Sequence, residues 1–307
     1  MDHLLDRLRP GSRIDVIRLR SLGDCVLTTP AIALLKAHRP DLEISLIVEP
    51  RFAAVFEGNP DVTAIRPDVS RKPARPDLVL NFHGGTRSMM LTLRSGARFR
   101  AGFAHHRYSL IYSHKIPRAQ EILGTEQRVQ SAEHLASAMF WLGVPRTEIP
   151  RAKLVALRPP PDFGPYAVIH PFASAPEKTW PAGRFVSVAV HLREACGLEP
   201  LFLAGPSDDP SPFSAFQVWR NAPLDEVKSL MSGASLFIGN DSGPAHVAAA
   251  FGVPVVVLFG ASDSIVWAPW RTESQILTSP EGMGGISIQE VISATQTVRN
   301  AALRVRA

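Results

Sequence analysis

The segment Phe237–Gly260, FIGNDSGPAHVAAAFGVPVVVLFG, constrains the fold more than any other part of this 307-residue chain. Two apolar runs, one ending at Ile238 and one beginning at Val255, are separated by a polar turn and an alanine-rich stretch. This order predicts a buried strand, a tight turn, a helix that packs close to a sheet, and a second buried strand. Such a unit is typical of a parallel α/β domain.

The polar turn of this segment is a candidate anion site. Asp241, Ser242 and Gly243 can supply a helix N-cap and an unhindered backbone, and Pro244 suits the first helical turn. The unpaired N–H groups and the positive dipole end of such a helix favour a phosphate. An ordinary cap in front of a core helix is the alternative. His246, about one turn into the helix, could reach a phosphate or a sugar hydroxyl, or be a hydrogen-bonded core histidine.

The chain divides into two similar halves. Buried strands open them at Arg13–Leu19 and Tyr166–His170, and the stretch 157–165 between them contains four prolines, which neither a helix nor a central strand accepts. We predict an α/β protein with two Rossmann-like domains, residues 1–157 and 165–307, whose parallel sheets face a central cleft. The last helix, predicted over 286–304, is left free to cross back to the first domain.

Further elements follow from the apolar pattern. The first half is predicted to contain a helix at 29–38, a strand at 43–48, a helix near 52–57, a strand at 77–82 and a helix ending at Arg94. The second half is predicted to contain helices at 185–194 and 224–232 and a strand at 200–204.

Composition narrows the class of protein. No apolar run is long enough to span a bilayer, and the N-terminus lacks the apolar core of a signal peptide, so we expect a cytoplasmic protein. The two cysteines, Cys25 and Cys196, stand outside any Cys/His cluster, which argues against a zinc site or a disulfide framework.

Charge is concentrated in the first half. Residues 1–155 hold 23 Lys/Arg and 15 Asp/Glu, whereas residues 156–307 hold 10 and 13. A basic half suggests an anionic partner such as a phosphorylated lipid head group or a nucleic acid; an arginine-rich solvated surface is the alternative. No interleaved aromatic residues accompany these charges, so we expect no nucleic-acid partner.

Two loops carry residues suited to catalysis. Asp24, just past the first strand, could act as a general base in a cleft, or simply cap a helix. Ser174 and Lys178 lie in a polar loop after the strand that ends at His170, and the Lys178 ammonium would neutralise charge on a leaving diphosphate. A surface lysine beside the anchoring Trp180 is the alternative.

Other residues suit binding. Asp208 follows a predicted strand and could hold ribose hydroxyls, or belong to a solvated loop. The densest basic stretch could grip phosphate, or form a solvated face. It comprises Arg87, Arg94, Arg98, Arg100, His105, His106 and Arg107.

Four motifs in register resemble glycosyltransferase family 9, the bacterial lipopolysaccharide heptosyltransferases, from about Arg13 to Arg299. They are RLRSLGDCVLTTPAI at 18–32, PDLVLNFHGGTRSMMLTLRSGARFRAGF at 76–103, HPFASAPEKTWPAGRF at 170–185 and GNDSGPAHVAAAFGVPVVVLFG at 239–260.

The resemblance implies a GT-B fold and metal-independent, inverting transfer of heptose from ADP-heptose to a lipopolysaccharide inner-core sugar. The nucleotide sugar is a substrate, and no cofactor is expected. The implied general base is Asp24. The implied donor contacts are Ser174, Lys178, Asp208, Asp241, Ser242, Gly243 and His246, with Asp208 standing in for a glutamate that many members carry.

The basic first domain would then meet an anionic lipopolysaccharide precursor, with peripheral contact at the inner membrane as an open possibility. Arg87, Arg94, His105 and Arg107 are the candidate acceptor contacts. Two other functions remain open: a family 9 transferase acting on a protein or another glycan, and a catalytically silent nucleotide-sugar-binding protein.

Overall fold

The computed structural model describes residues 3–66, 75–162 and 164–306. Contacts divide the chain into two compact units, one up to Val155 and one from Ala156 onward. The division falls just before the proline-rich stretch because Pro159 and Pro160 contact the second unit: the Pro159 carbonyl accepts a 2.6 Å hydrogen bond from Ser229, and Pro160 packs on Gly233. Phe163, in the predicted linker, lies outside the described residues.

The first unit is built on a six-stranded parallel sheet in the order β3-β2-β1-β4-β5-β6. Its elements are β1 (Arg13–Ile17), α1 (Leu22–His38), β2 (Glu43–Ile47), β3 (Ala64–Arg66), β4 (Leu78–Asn81), α2 (Thr86–Arg94), β5 (Phe99–Phe103), β6 (His114–Ile116), α3 (Ala119–Leu123) and α4 (Ser131–Leu142). Short 3-10 helices cover Leu4–Arg7, Pro50–Val55 and Ser109–Ile111.

The second unit repeats this plan, with a parallel sheet in the order β12-β11-β10-β7-β8-β9. Its elements are β7 (Tyr166–His170), α5 (Ala182–Cys196), β8 (Glu199–Ala204), β9 (Gln217–Arg220), α6 (Leu224–Ser232), β10 (Leu236–Asn240), α7 (Gly243–Ala250), β11 (Val255–Phe259), β12 (Ser274–Thr278) and α8 (Ile288–Arg306). Further 3-10 helices cover Pro176–Lys178, Ser211–Phe213 and Met283–Gly285. Helix α8 packs against α5, β11 and β12 of this unit.

Strand order reverses at one point in each sheet. The reversal lies between β1 and β4 in the first unit and between β7 and β10 in the second. The loops after these strands emerge at the carboxyl edge of the sheet, where open α/β sheets bind ligands. Strands β4, β10 and β11 are buried along their whole length, as their unbroken apolar sequences predict. The strand–turn–helix–strand order predicted for 237–260 is confirmed.

Helix α1 begins seven residues earlier than the predicted start at Thr29. Pro30 resembles a first-turn proline, but it lies inside the helix. Proline cannot donate to the carbonyl of Val26, and the Thr29 hydroxyl donates to that oxygen instead, at 2.8 Å. Asp24 therefore lies within the first helical turn, and the N-cap is Ser21.

The basic stretch after β4 is also organised differently from the prediction. Its middle forms strand β5, which the sequence pattern did not reveal because Arg98 and Arg100 flank the buried Phe99. The predicted helix near 52–57 is a 3-10 helix over Pro50–Val55.

Candidate active site

In the second unit a hydrogen bond crosses the point where strand order reverses. The His170 Nδ1 atom, at the end of β7, lies 3.0 Å from Oγ of Ser242, which follows β10. Burial lowers the pKa of His170 to about 4, against the opposing effect of the Asp208 charge, so the imidazole is neutral at physiological pH. His170 thus contacts one predicted donor-binding residue, Ser242, and its pKa is affected by the charge of another, Asp208.

Asn240 fixes the loops around this point. Its side chain is fully buried; Oδ1 accepts from the Trp180 backbone N–H at 3.1 Å, and Nδ2 donates to the Pro171 carbonyl at 2.8 Å. Trp180 is itself buried and donates its indole N–H to the Ile286 carbonyl at 2.9 Å. The segment carrying Lys178 is thereby held beside the end of β10.

Gly260 brings the same segment against the end of β11. A Cβ atom at Gly260 would lie 2.2 Å from the backbone oxygen of Glu177, so the close approach requires glycine. Lys178, the next residue, is half-buried. Its ammonium has no hydrogen-bond or ion-pair partner within residues 3–66, 75–162 and 164–306. A cation is therefore positioned by buried contacts and left available to a ligand.

The start of α7 lies two residues beyond Asn240. Ser242 is the N-cap, Pro244 lies in the first turn, and the Ser242 hydroxyl bonds to His170 rather than to a helix N–H. Pro244 has no N–H and the Ala245 N–H donates to the Ser242 carbonyl at 3.2 Å, so it is the Gly243 N–H, without an acceptor among the described residues, that is available to an anion. Asp241 is half-buried beside it, and His246 is buried within the first turns of α7.

The two remaining donor candidates lie on neighbouring loops. Asp208 accepts a 2.7 Å hydrogen bond from the Gly205 N–H after β8, and it lines an open depression of about 750 Å³ with Ser207 and Arg220. Ser174 is exposed and lines a separate depression beside Trp180. The structure brings Lys178, Asp208, Asp241, Ser242 and Gly243 to one edge of the second sheet.

In the first unit the Asp24 carboxylate is held from two sides. Its Oδ2 accepts from the Ser21 N–H at 3.2 Å and from the Ser21 hydroxyl at 3.1 Å, and its Oδ1 lies 3.1 Å from a guanidinium nitrogen of Arg18. Arg18 is buried and also donates to the Thr28 hydroxyl at 3.2 Å. The carboxylate caps α1 and is oriented by an ion pair with Arg18.

The predicted acceptor residues are only partly brought together. Arg87 lies at the start of α2, 3.6 Å from the Glu49 carboxylate, and Arg107 stacks over Tyr108. The Thr86 and Tyr108 hydroxyls, 3.1 Å apart, join these two segments. Arg94 ends α2, ~12 Å along the helix from its start at the carboxyl edge of the sheet.

Three residues of the sites were not singled out from the sequence: His170, Asn240 and Arg18. All three lie at or just beyond the ends of strands that adjoin the reversal points. In the sequence, the available signal was a polar residue at the end of an apolar run. It indicates a site residue only when the strand order is known, because that order shows which strands adjoin a reversal point.

The described part of the chain contains no group of three or more His, Cys, Asp or Glu side chains placed to hold a metal ion. None of its helices combines the length and apolarity that crossing a bilayer requires.

The model of glycosyltransferase family 9 (heptosyltransferase) matches residues 72–285. The chain belongs to this family and is a glycosyltransferase. It is 28% identical over 296 residues to lipopolysaccharide heptosyltransferase 3 of Escherichia coli, covering 82% of this chain and 84% of the relative.

Solved structures agree with the fold. A family 9 glycosyltransferase from Veillonella parvula superposes with a TM-score of 0.82 at 22% identity, covering 94% of this chain and 97% of the other. E. coli heptosyltransferase WaaC with ADP superposes with a TM-score of 0.80 at 18% identity, covering 93% and 99%. The predicted GT-B class, with two Rossmann-like units, is confirmed.

We expect Gly260→Ala to displace the segment that carries Lys178, because the new methyl group would overlap the Glu177 carbonyl. Amide hydrogen exchange at 177–180 should become faster and the melting temperature should fall. The matched control is Gly183→Ala, whose added methyl group meets nothing within 4 Å. Equal exchange in the two variants would show that Gly260 does not position the segment.

Proposed function

We propose that this glycosyltransferase moves heptose from ADP-heptose to a sugar hydroxyl of a lipopolysaccharide inner-core precursor, with inversion and without a metal. The observation that carries the proposal is made at the edge of the second sheet. There the Lys178 ammonium, which has no partner among the residues that the structure describes, and the start of α7 lie on adjoining loops. The named relatives, a lipopolysaccharide heptosyltransferase and a heptosyltransferase solved with ADP, support the choice of donor and acceptor.

In the proposed reaction the second unit binds the donor. The Gly243 N–H at the start of α7 and the Lys178 ammonium would hold the diphosphate, and Asp208 would hold the ribose. Asp241, Ser174 and His246 would contact the remaining donor groups. As the bond between the heptose C1 and the diphosphate oxygen breaks, negative charge grows on ADP, and these preorganised donors stabilise it. Protein groups would thereby do the work of a divalent cation.

The first unit would supply the general base that activates the acceptor hydroxyl, which is the nucleophile. The Asp24 carboxylate takes the proton of the acceptor hydroxyl while that oxygen attacks C1 from the face opposite ADP, which inverts the anomeric centre. Arg18 and Ser21 keep the carboxylate in one orientation, as their contacts with it indicate. Arg87, His105 and Arg107 would face the anionic acceptor.

Calorimetric titration tests the donor assignment. Purified protein titrated with ADP-heptose, ADP, UDP, GDP and CMP should bind ADP-heptose and ADP selectively. Lys178→Ala should weaken donor binding or slow turnover by ~10²–10³-fold, the effect of losing one preorganised donor. Preference for another nucleotide would overturn the donor assignment, and unchanged kinetics in the variant would remove Lys178 from the mechanism.

We expect Asp24→Asn to abolish transfer while leaving donor affinity intact, because an amide cannot accept the proton. Transfer is measured with ADP-heptose and a heptose-deficient lipopolysaccharide precursor. The control is Ser21→Ala, which removes one hydrogen bond to the same carboxylate but keeps the base. Transfer by Asp24→Asn above about a tenth of wild type, or equal losses in both variants, would contradict the assignment as general base.

We also propose that the first unit touches an anionic membrane surface. Leu110 is 87% exposed, and Met90 and Leu93 are partly exposed on the face of α2 that includes Thr86. The bond between Thr86 and Tyr108 brings this face near Leu110. The exposed side chains of Arg87, Arg94 and Arg107 add positive charge that suits anionic lipid head groups.

Vesicle sedimentation tests this contact. Vesicles containing phosphatidylglycerol should bind the protein better than pure phosphatidylcholine, and Leu110→Asp should weaken binding at least tenfold or so, since burying one leucine stabilises by ~1.5–3 kcal/mol. Leu157→Asp, at another exposed leucine, is the control. Equal binding to both vesicles, or no difference between the variants, would exclude this surface.

A further inference from the structure

A cavity of about 460 Å³ lies at the amino ends of strands β5 and β6 of the first unit, and we call it the amino-end cavity. His114, the first residue of β6, lines it. So does Arg7, whose guanidinium lies over the ring of Phe99, the first residue of β5, at 5.0 Å from the ring centroid. Asp24 and Lys178, by contrast, follow the carboxyl ends of β1 and β7. The proposed reaction therefore assigns no part to this cavity.

One part of the cavity lining is apolar. Leu4 is buried, and Ile122, Phe140 and Trp141 are half-buried. Phe140 and Trp141 come from the last turn of α4. The Trp141 indole N–H has no hydrogen-bond partner among the residues that the structure describes. Trp141 thus offers an apolar ring and an unused donor to a molecule that enters the cavity.

The other part of the lining is basic and consists of His3, Arg7, His114 and Arg146. Within the described ranges, the Arg7 guanidinium makes no hydrogen bond or ion pair, and Arg146 donates only to the Ile122 carbonyl. Burial and then the Arg7 charge lower the pKa of His114, so its imidazole is neutral at neutral pH. The permanent charges of the cavity are therefore the two guanidinium groups.

No carboxylate of the described residues neutralises these two charges. None lines the cavity, and those nearest along the chain are engaged elsewhere. Asp6 accepts from the His3 backbone N–H at 3.1 Å, and Glu121 accepts from the N-cap N–H of α3 at 3.0 Å. The cavity thus combines apolar walls with positive charge that lacks a protein counter-ion.

We propose that the amino-end cavity binds a small amphiphilic anion, a carboxylate or phosphate that carries an apolar ring or chain. The apolar part would pack against Phe140 and Trp141, and the anionic oxygens would accept from Arg7 and Arg146, since a guanidinium fork fits either group. Apolar walls with a few convergent polar groups are the usual form of a small-molecule site. This site goes beyond heptose transfer, because its ligand is neither the donor nor the acceptor of that reaction.

Titrations followed by ¹H–¹⁵N NMR of the tryptophan indoles of the whole protein test this. The chain has five tryptophans, and the variant Trp141→Phe identifies the Trp141 signal by removing it. The probes are 4-phenylbutyrate, octanoate and octyl phosphate, and at least one of them should shift this signal saturably. Comparison of the three distinguishes a ring from a chain and a carboxylate from a phosphate. No saturable shift with any of them would overturn the proposal.

Four control compounds separate the two requirements of the proposed site. The alcohols 4-phenyl-1-butanol and 1-octanol lack the charge, and acetate and inorganic phosphate lack the apolar part. Each should bind at least tenfold or so more weakly than the matching amphiphilic anion, the scale of losing one charge-assisted hydrogen bond or one buried apolar group. Equal binding of the alcohols, or of the small anions, would contradict the proposal.

The variant Arg7→Gln should weaken binding of the anionic probes about tenfold, because it removes one charge-assisted hydrogen bond. Arg98→Gln is the matched control: its guanidinium also lies over the Phe99 ring, 4.8 Å from the centroid, but does not line the cavity. Both arginines are exposed, so both variants lose the same charge and the same ring contact. Binding should be unchanged in Arg98→Gln.

Equal losses in the two variants, or unchanged binding in Arg7→Gln, would overturn the proposal. The comparison of probes uses the wild-type protein and so stands independently of how either variant folds. Neither ADP-heptose nor a sugar acceptor is present in these titrations. A failure here therefore leaves the proposed function intact, and absent heptose transfer leaves the amino-end cavity unaffected.

Discussion

Both candidate sites depend on a constraint of parallel sheets: all strands end at the same edge, and the loops diverge where strand order reverses. In the second unit this places His170 and Ser242 on either side of the reversal between β7 and β10, joined by a hydrogen bond. In the first unit it places the Asp24 turn beside the loop after β4. His170 and Ser242, 72 positions apart, can therefore act on one ligand, because the intervening strands β8 and β9 lie on the outer side of β7.

Packing then determines which polar groups remain available. Both ends of the Asn240 side-chain amide are hydrogen-bonded to backbone groups. The close contact between Gly260 and the Glu177 carbonyl fixes the backbone just before Lys178. These buried contacts leave the Lys178 ammonium without a partner among the described residues. In the first unit, Ser21 and Arg18 likewise hold the Asp24 carboxylate in one orientation. Rigid neighbours preorganise the charged groups, which is the form of stabilisation that suits a developing charge.

The two units handle negative charge differently. The second offers a helix start and one lysine, a small set suited to a diphosphate. The first offers arginines, together with His105, His106 and His134, whose rings pack against Phe103. This asymmetry follows the distribution of charge in the chain, whose excess of Lys/Arg lies wholly in residues 1–155. The glycosyl donor and the acceptor would thus be recognised by different physical means.

Local sequence patterns were sufficient to predict the secondary-structure elements that local interactions determine. The strand–turn–helix–strand unit at 237–260 was predictable because unbroken apolar runs mark buried parallel strands, and a cap followed by proline marks a helix start. Lys178 and Asp24 were singled out as candidate site residues by their position after such strands, and their roles stay predictions. The start of α1 was misplaced because Pro30 lies inside the helix, with the Thr29 hydroxyl bonding the carbonyl that the proline leaves.

The tertiary structure alone decided which of these residues share a site. Strand order is set by contacts between distant segments, so no local pattern could pair His170 with Ser242 or bury Arg18 against Asp24. It also separated Arg94 from Arg87, because α2 runs away from the edge where it starts. The sequence by itself determined the fold class, the charge distribution and the candidate residues; long-range packing determined their grouping, because distances across a sheet depend on which strands become neighbours.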